Sequence, residues 1–330
     1  MSGSSDAGKS VWAYVAGRLI NAVPLVLGVI VVNFLLLTLA PGDPVTALVG
    51  DYPAPADYIE RVRQQYGLDR SVPERLVRYV GSVLRGDLGY SFANRQPVAT
   101  LLLERLGRTM VLMVTTIAIA SAVGLALGVL AARKPHSLGD AAATGFALAG
   151  YAVPEFWFGQ ILILVFAVWL QVLPAGGFRS VRETYEGFAA FLDHLRHMLL
   201  PMAALSFRYM AITTRLTRAS LLEVMNTQFI VAARARGLSE RAILWRHALR
   251  AAALPVVTVI GYNFGFIVAG SALVETVFGW PGIGRLMYDS IFARDYPVLL
   301  GILLMVSVTV IVVNLVTDVL YSVLDPRVRY

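Results

Sequence analysis

Apolar residues in this chain gather into runs far longer than a globular helix or strand needs, and polar residues gather between them. The runs cover about 19–39, 109–132, 141–173, 198–214, 254–273 and 298–319. About 20 apolar residues at 1.5 Å each cross a hydrocarbon core of roughly 30 Å. Each run therefore predicts one transmembrane helix, giving an all-α membrane protein of six spans with both termini on one side. The third run is too long for one perpendicular helix and is interrupted at Pro154-Glu155, which predicts a kink at Pro154. Pro41-Gly42-Asp43-Pro44 ends the first run where a cleaved signal would show small residues, so that run is expected to stay. From there to Arg108 the chain is polar. Its amphipathic pieces Tyr58–Tyr66 and Pro73–Leu84 predict a small helical cap.

Composition agrees with the pattern. Hydrophobic residues make up 57% and charged residues 15%, where soluble domains carry about 25% charged. There is no Cys and there are only four His. Disulfides, thiolate chemistry and a metal-spaced cluster are excluded, and no catalytic set of His, Asp and Ser lies within the runs. The net charge of +7 reads as topology. Lys9, Arg18, Arg133, Lys134, Arg215, Arg218, Arg327 and Arg329 share a face with a basic stretch between the fourth and fifth runs. Basic residues on the opposite face are offset by acidic ones, so the termini and the basic stretch are expected in the cytoplasm. Gly3-Ser4-Ser5-Asp6-Ala7-Gly8-Lys9-Ser10 spells a phosphate-binding loop. Such a loop needs a strand before it and a helix after it, so a flexible polar tail is expected instead.

The basic stretch runs from Phe229 to Pro255. Arg234, Arg236, Arg241, Arg246 and Arg250 would each cost roughly 2.5–3.5 kcal/mol at a bilayer centre, so the stretch stays in water. Ala and Arg before Gly237 favour a helix, and Gly237 can close it in the left-handed conformation. Ser239 can cap a second helix with Glu240 at its positive end. Ile243, Leu244, Leu249 and Ala252 give that helix an apolar side, and Leu254-Pro255 returns the chain to the membrane. A helix-turn-helix at the surface follows. Pattern alone leaves two uses open, an anchor on anionic headgroups or a dock for a partner protein. Tight flanking spans leave little room for nucleic-acid binding.

These residues resemble the permease subunits of bacterial ABC importers of the dipeptide/oligopeptide/nickel group. Val231-Ala232-Ala233, then Gly237, then Leu254-Pro255 follow their cytoplasmic motif. Val231 stands where the wider family has an acidic residue, and the interval after Gly237 is longer; both mark the peptide subgroup. Leu39–Pro44, Tyr66–Asp69, Leu84–Gly89, Glu275–Gly284, Asp318 and Asp325-Pro326-Arg327 extend the resemblance over nearly the whole chain. It implies the type I importer permease fold. Residues 1–108 would hold a tail, the first span and the extracytoplasmic cap. Residues 109–322 would be the permease core with a coupling loop over about 215–253, and 323–330 a cytoplasmic tail.

The resemblance further implies that Ala232, Ala233, Ala235, Gly237, Leu238, Ser239, Glu240 and Arg241 couple to an ATPase, the small side chains allowing close approach. Implied partners are a second homologous permease, two cytoplasmic ABC ATPases and an extracytoplasmic substrate-binding protein, in the bacterial inner membrane. No cofactor belongs to this chain; ATP and Mg would lie in the ATPases. The cargo would be di- or oligopeptides, with nickel chelates or opines as the alternative. An ATPase-independent secondary transporter is the rival from another class, but it usually shows an internal repeat and none is evident. Glu155 and Arg208, ionisable within apolar runs, could line the path. A paired Glu at the kink and an Arg reaching the surface are the alternatives. Asn263 fits path lining or a helix–helix hydrogen bond.

Overall fold

The computed structural model describes residues 4–39, 55–65, 68–91, 93–181, 183–265 and 272–324. Pro41–Pro44, Tyr66-Gly67 and Asp325–Arg327, all used above, lie outside them. The chain forms two compact units, one of Met1–Thr109 with Pro281–Leu315 and the other of Met110–Trp280 with Val316–Tyr330.

In the first unit, α1 (Ser4–Leu39) is one helix that includes Ser4–Ser10. This corrects the expected flexible tail. The helix of the apolar run continues outward through these residues, and the Pro inside it is Pro24. A helix there also rules out the phosphate-loop geometry. The cap is helical as expected, with α2 (Ala56–Gln65) and α3 (Val72–Leu84). Phe34 of α1 stacks on Tyr79 of α3 at 5.7 Å, with the Arg75 guanidinium 5.9 Å from its ring. A two-residue hairpin, β1 (Tyr90–Ser91) with β2 (Gln96–Pro97), was not expected. Strands that short carry no alternation to read. The hairpin is fixed by Ser91, whose Oγ donates to Asp295 at 2.5 Å in a buried contact. Asp295 immediately precedes α13 (Tyr296–Leu324). Ahead of it in the chain come α11 (Ala272–Val277), which belongs to the second unit, and α12 (Ile283–Phe292), which begins where the Ile283 N–H donates to Thr109 Oγ1 at 2.8 Å.

α4 (Val98–Arg133) runs through both units. The second span was expected from 109, yet the helix starts at Val98 because Ala99, Leu101–Leu103 and Glu104 are all good helix formers. In the second unit, α5 (Leu138–Ala152) is capped by Ser137, whose Oγ accepts the Asp140 N–H. The expected kink is a break. Val153 before Pro154 is extended, as the proline ring requires. α6 (Glu155–Leu162), continued by a wide π turn over Ile163–Trp169, leaves at 104° to α5. Then comes α7 (Gly187–Met225), a 39-residue helix.

Each apolar run is largely helical where it is described. By length and composition, the described helices Val98–Arg133, Glu240–Phe264 and Tyr296–Val316 can cross a membrane, and the bent α5–α6 pair has the apolar length of a broken span or a re-entrant loop. The apolar part of α1 is the shorter Ile20–Leu36. α7 has ample length but carries Asp193, Arg196 and Arg208 along it.

α7 is the axis of the second unit. Gly124 and Gly128 of α4 lie against Thr213 and Thr217. A Cβ at Gly128 would stand 2.5 Å from Thr217 Cβ and 2.8 Å from the Thr214 carbonyl oxygen. On α5, a Cβ at Gly150 would meet Ala211 Cβ at 2.7 Å. Small residues that let backbones approach are how helices associate in lipid, where hydrophobicity offers no drive. Gly128→Leu is therefore expected to lower the thermal unfolding midpoint of the purified chain and Gly145→Leu, which meets nothing within 4 Å, to leave it in place. Equal midpoints for the two variants would contradict this packing.

Candidate functional site

The basic stretch folds as two helices around Gly237. α8 (Gln228–Ala235) ends with Arg236 as its last half-helical residue. Gly237, at φ +78°, donates to the Arg234 carbonyl at 2.9 Å, and Leu238 donates to the Ala233 carbonyl at 3.3 Å. These two bonds satisfy the carbonyls that a helix end leaves open and form a Schellman closure. Nothing lies within 4 Å of a Cβ at Gly237. Glycine is required there by backbone conformation alone. Ser239 Oγ accepts the Ala242 N–H at 3.3 Å and starts α9 (Glu240–Ala242). The helix then widens into a π turn over Ile243–Ala248 and continues as α10 (Leu249–Gly265), passing through Pro255. The expected apolar side is present, but it spans the π turn.

One buried cluster fastens this assembly to the long helices. Ile230 and Ala233 of α8 meet Ile243, Leu244, Ala248 and Ala252, together with Leu221 of α7 and Val129 and Ala132 of α4. Ile230, Ile243 and Leu221 are completely buried. Each such side chain withdrawn from water stabilises by about 1.5–3 kcal/mol, so the loop is held to the ends of α4 and α7 and is not a loose tether. Of the eight coupling candidates only Ala233 faces inward. Ala232, Ala235, Gly237, Leu238, Ser239, Glu240 and Arg241 are all exposed.

The exposed side is as distinctive as the buried one. Phe229, Val231, Leu238 and Trp245 present large apolar surfaces to the outside, 47%, 51%, 40% and 54% exposed. Arg236, Arg241, Arg246 and Arg250 are exposed around them. Sequence reading overlooked Phe229 and Trp245. The signal available was that both fall off the stripe formed by Ile230, Ala233, Ile243, Leu244 and Ala248. It placed Glu240 at the helix end and among the coupling residues but gave it no partner. Glu240 in fact spans the turn and accepts two bonds from Arg234, Nε at 2.7 Å and Nη2 at 3.2 Å.

A second ion pair was missed. Arg218 of α7, one turn before Leu221, makes a two-point contact with the buried Asp140 of α5; Nη2 to Oδ2 is 2.7 Å, and Nε bonds Oδ1. Asp140 also accepts the His136 N–H at 2.8 Å. Arg218 is thus a joint between helices and not one of the free loop charges it was counted among. Ser137-x-x-Asp140 advertised the cap, but nothing local could reveal a partner 78 positions away. Among the path candidates, Glu155 and Arg208 do come together at 3.4 Å, with side chains 15% and 54% exposed. Asn263 is buried on α10, and no hydrogen bond between described residues links it to that pair.

The two joints should differ in weight. Removing one partner from a buried pair leaves an uncompensated charge, whereas exposed pairs contribute little. Asp140→Asn is expected to lower the thermal midpoint clearly and Glu240→Gln hardly at all, read by the same unfolding assay. A larger drop for Glu240→Gln would reverse the assignment.

Comparisons with known proteins place the chain in a family. Residues 124–330 match the family described as binding-protein-dependent transport system inner membrane component, and residues 11–113 match the N-terminal family of the same membrane components. The oligopeptide transport system permease protein AppB of Bacillus subtilis is 37% identical over 96% of this chain and 99% of its own length. The dipeptide transport system permease protein DppB of Escherichia coli K12 is 37% identical over 96% and 98%. A glutathione transport system permease protein, GsiC of Escherichia coli O6:H1, is 38% identical over 96% and 99%. Among solved structures, the inward-facing MetNI methionine ABC transporter aligns with a TM-score of 0.52 at 18% identity, covering 68% of this chain and 96% of that one. That likeness speaks to the fold. The chain belongs to the family of inner-membrane permease components of binding-protein-dependent ABC importers.

Proposed function

We propose that this chain lines the translocation path of an ATP-driven importer for short peptides, and that Phe229–Pro255 receives the stroke of a cytoplasmic ATPase. The observation that carries the reading is the two-sidedness of the loop. An apolar and cationic ridge faces out, while a buried cluster ties the same two helices to α4 and α7. A surface element can move spans only if it is fixed to them, and can be moved only if it offers a partner something to hold. Phe229, Val231, Leu238 and Trp245, with Arg236 and Arg241, are the contacts assigned to the ATPase. Ala233, Gly237, Ser239 and Glu240 keep their shape.

Residues 109–322 act as the permease core and 1–108 as tail, first span and outer cap, with both termini in the cytoplasm. A second homologous permease, two ATPases holding ATP and Mg, and an external binding protein complete the machine; this chain itself holds no cofactor. Relatives named for oligopeptide, dipeptide and glutathione transport support a peptide cargo. Glu155 and Arg208 are assigned to the path.

Proline at 237 can supply neither φ +78° nor the N–H given to Arg234. Gly237→Pro is expected to abolish ATP-driven peptide uptake by the reconstituted importer while membrane insertion persists. Gly237→Ala, with room for its methyl but a left-handed strain of about 1–2 kcal/mol, is expected to slow it. Normal uptake by the proline variant would sink the coupling role, and uptake without any ATPase would identify a secondary transporter.

A further inference from the structure

A groove lies between α4 and α5 in the second unit, lined by Leu127, Leu130, Gly139, Ala142, Ala143 and Phe146. Its volume is about 400 Å³, within the roughly 300–1,000 Å³ of small-molecule sites, and its lining is almost wholly hydrocarbon. Groove and polar surface meet at the loop joining the two helices. Leu127 and Leu130 lie one turn apart on α4, which ends at Arg133 so that Lys134 is the first residue of the loop, and Gly139 lines the groove one residue into α5. At 1.5 Å per residue the lining of α4 ends about 5–10 Å below that loop.

The loop supplies cations without competition. Arg133 and Lys134 are exposed, and no carboxylate among the described residues pairs with either. The acidic residue close by in sequence, Asp140, is 4% exposed and already committed to Arg218 and to the His136 N–H. An anion approaching the loop therefore meets two free cations and a neutralised carboxylate. Free cations above an apolar slot match one amphiphile, a phospholipid with an anionic headgroup and an acyl chain.

We infer that this groove binds an anionic phospholipid, its acyl chain against Leu127, Leu130, Ala142 and Phe146 and its phosphate against Arg133 and Lys134. The site abuts the joint made by Asp140 and Arg218, so an occupied groove braces α5 against α4 where α7 is also held. Basic pockets between transmembrane helices are a known setting for such headgroups. This assignment needs the membrane span but not the peptide cargo or the ATPase.

The test is native mass spectrometry of the full-length chain in its assembled importer, released from nanodiscs holding equimolar phosphatidylglycerol and phosphatidylethanolamine with identical acyl chains. The wild type is expected to retain phosphatidylglycerol roughly tenfold over phosphatidylethanolamine, given the attraction each basic residue exerts on an anionic surface. Arg133→Gln with Lys134→Gln, both on the surface, is expected to retain the two equally. Ala142→Trp, at an exposed position, should fill the groove and reduce retention of both while the unfolding midpoint holds. Equal retention by the wild type, no lipid retained at all because another subunit fills the slot, or an undiminished preference in the double variant would each overturn the site.

Discussion

The charge of arginine sets the plan of this molecule. A guanidinium at the middle of a bilayer costs roughly 2.5–3.5 kcal/mol, so a chain that is 57% hydrophobic must still find water for five arginines between Arg234 and Arg250. Its solution is to break α8 at Gly237 and turn the chain back before it re-enters the apolar run. Helix ends, cap and π turn are local means to that end. What they create is a two-sided layer, a buried hydrocarbon cluster within and guanidinium groups set among Phe229, Val231, Leu238 and Trp245 without.

The two ion pairs of this region obey the same constraint in opposite ways. Arg218 sits among packed helices and so has to be met by a buried Asp140, in a joint that is costly to break. Arg234 remains in water, and its bond to Glu240 adds little to stability. Its use is geometric, since it ties the residues on either side of Gly237 together. The cluster around Ile230, Ile243 and Leu221 does the holding. Among these contacts, hydrophobic burial decides where the loop sits and hydrogen bonds decide what shape it keeps.

Sequence alone revealed the runs, the place though not the sharpness of the turn at Pro154, the cap helices, and the Gly237 and Ser239 terminations, because each depends on neighbours a few positions apart. It could not reveal the start of α4. The charges of Glu104, Arg105 and Arg108 end the unbroken apolar run at Thr109, although the helix formers before them carry the helix back to Val98. Pairings across long separations were equally invisible, from Arg218 with Asp140 to Ser91 with Asp295. The Gly-Lys-Ser tail shows the converse. A pattern can be complete in letters and still describe no site, because Ser4–Ser10, which would have to form the loop, are helical.

Glycine makes the same point about function. Gly237 and Gly128 are one residue type in the sequence, yet they are constrained differently. Gly237 has open space around it and a left-handed backbone, whereas Gly128 has a helical backbone with Thr217 pressed against it. The first shapes the loop and the second lets α4 and α7 approach. Because Leu221 of α7, Val129 of α4 and Ala252 of α10 meet in one cluster with Ile230 of α8, a push on α8 cannot be absorbed by one helix alone. Close-packed groups shift together or repack together. Under the proposed coupling role, a displacement of the loop would reach three helices at once, and the glycine contacts between α4 and α7 would carry it along their length.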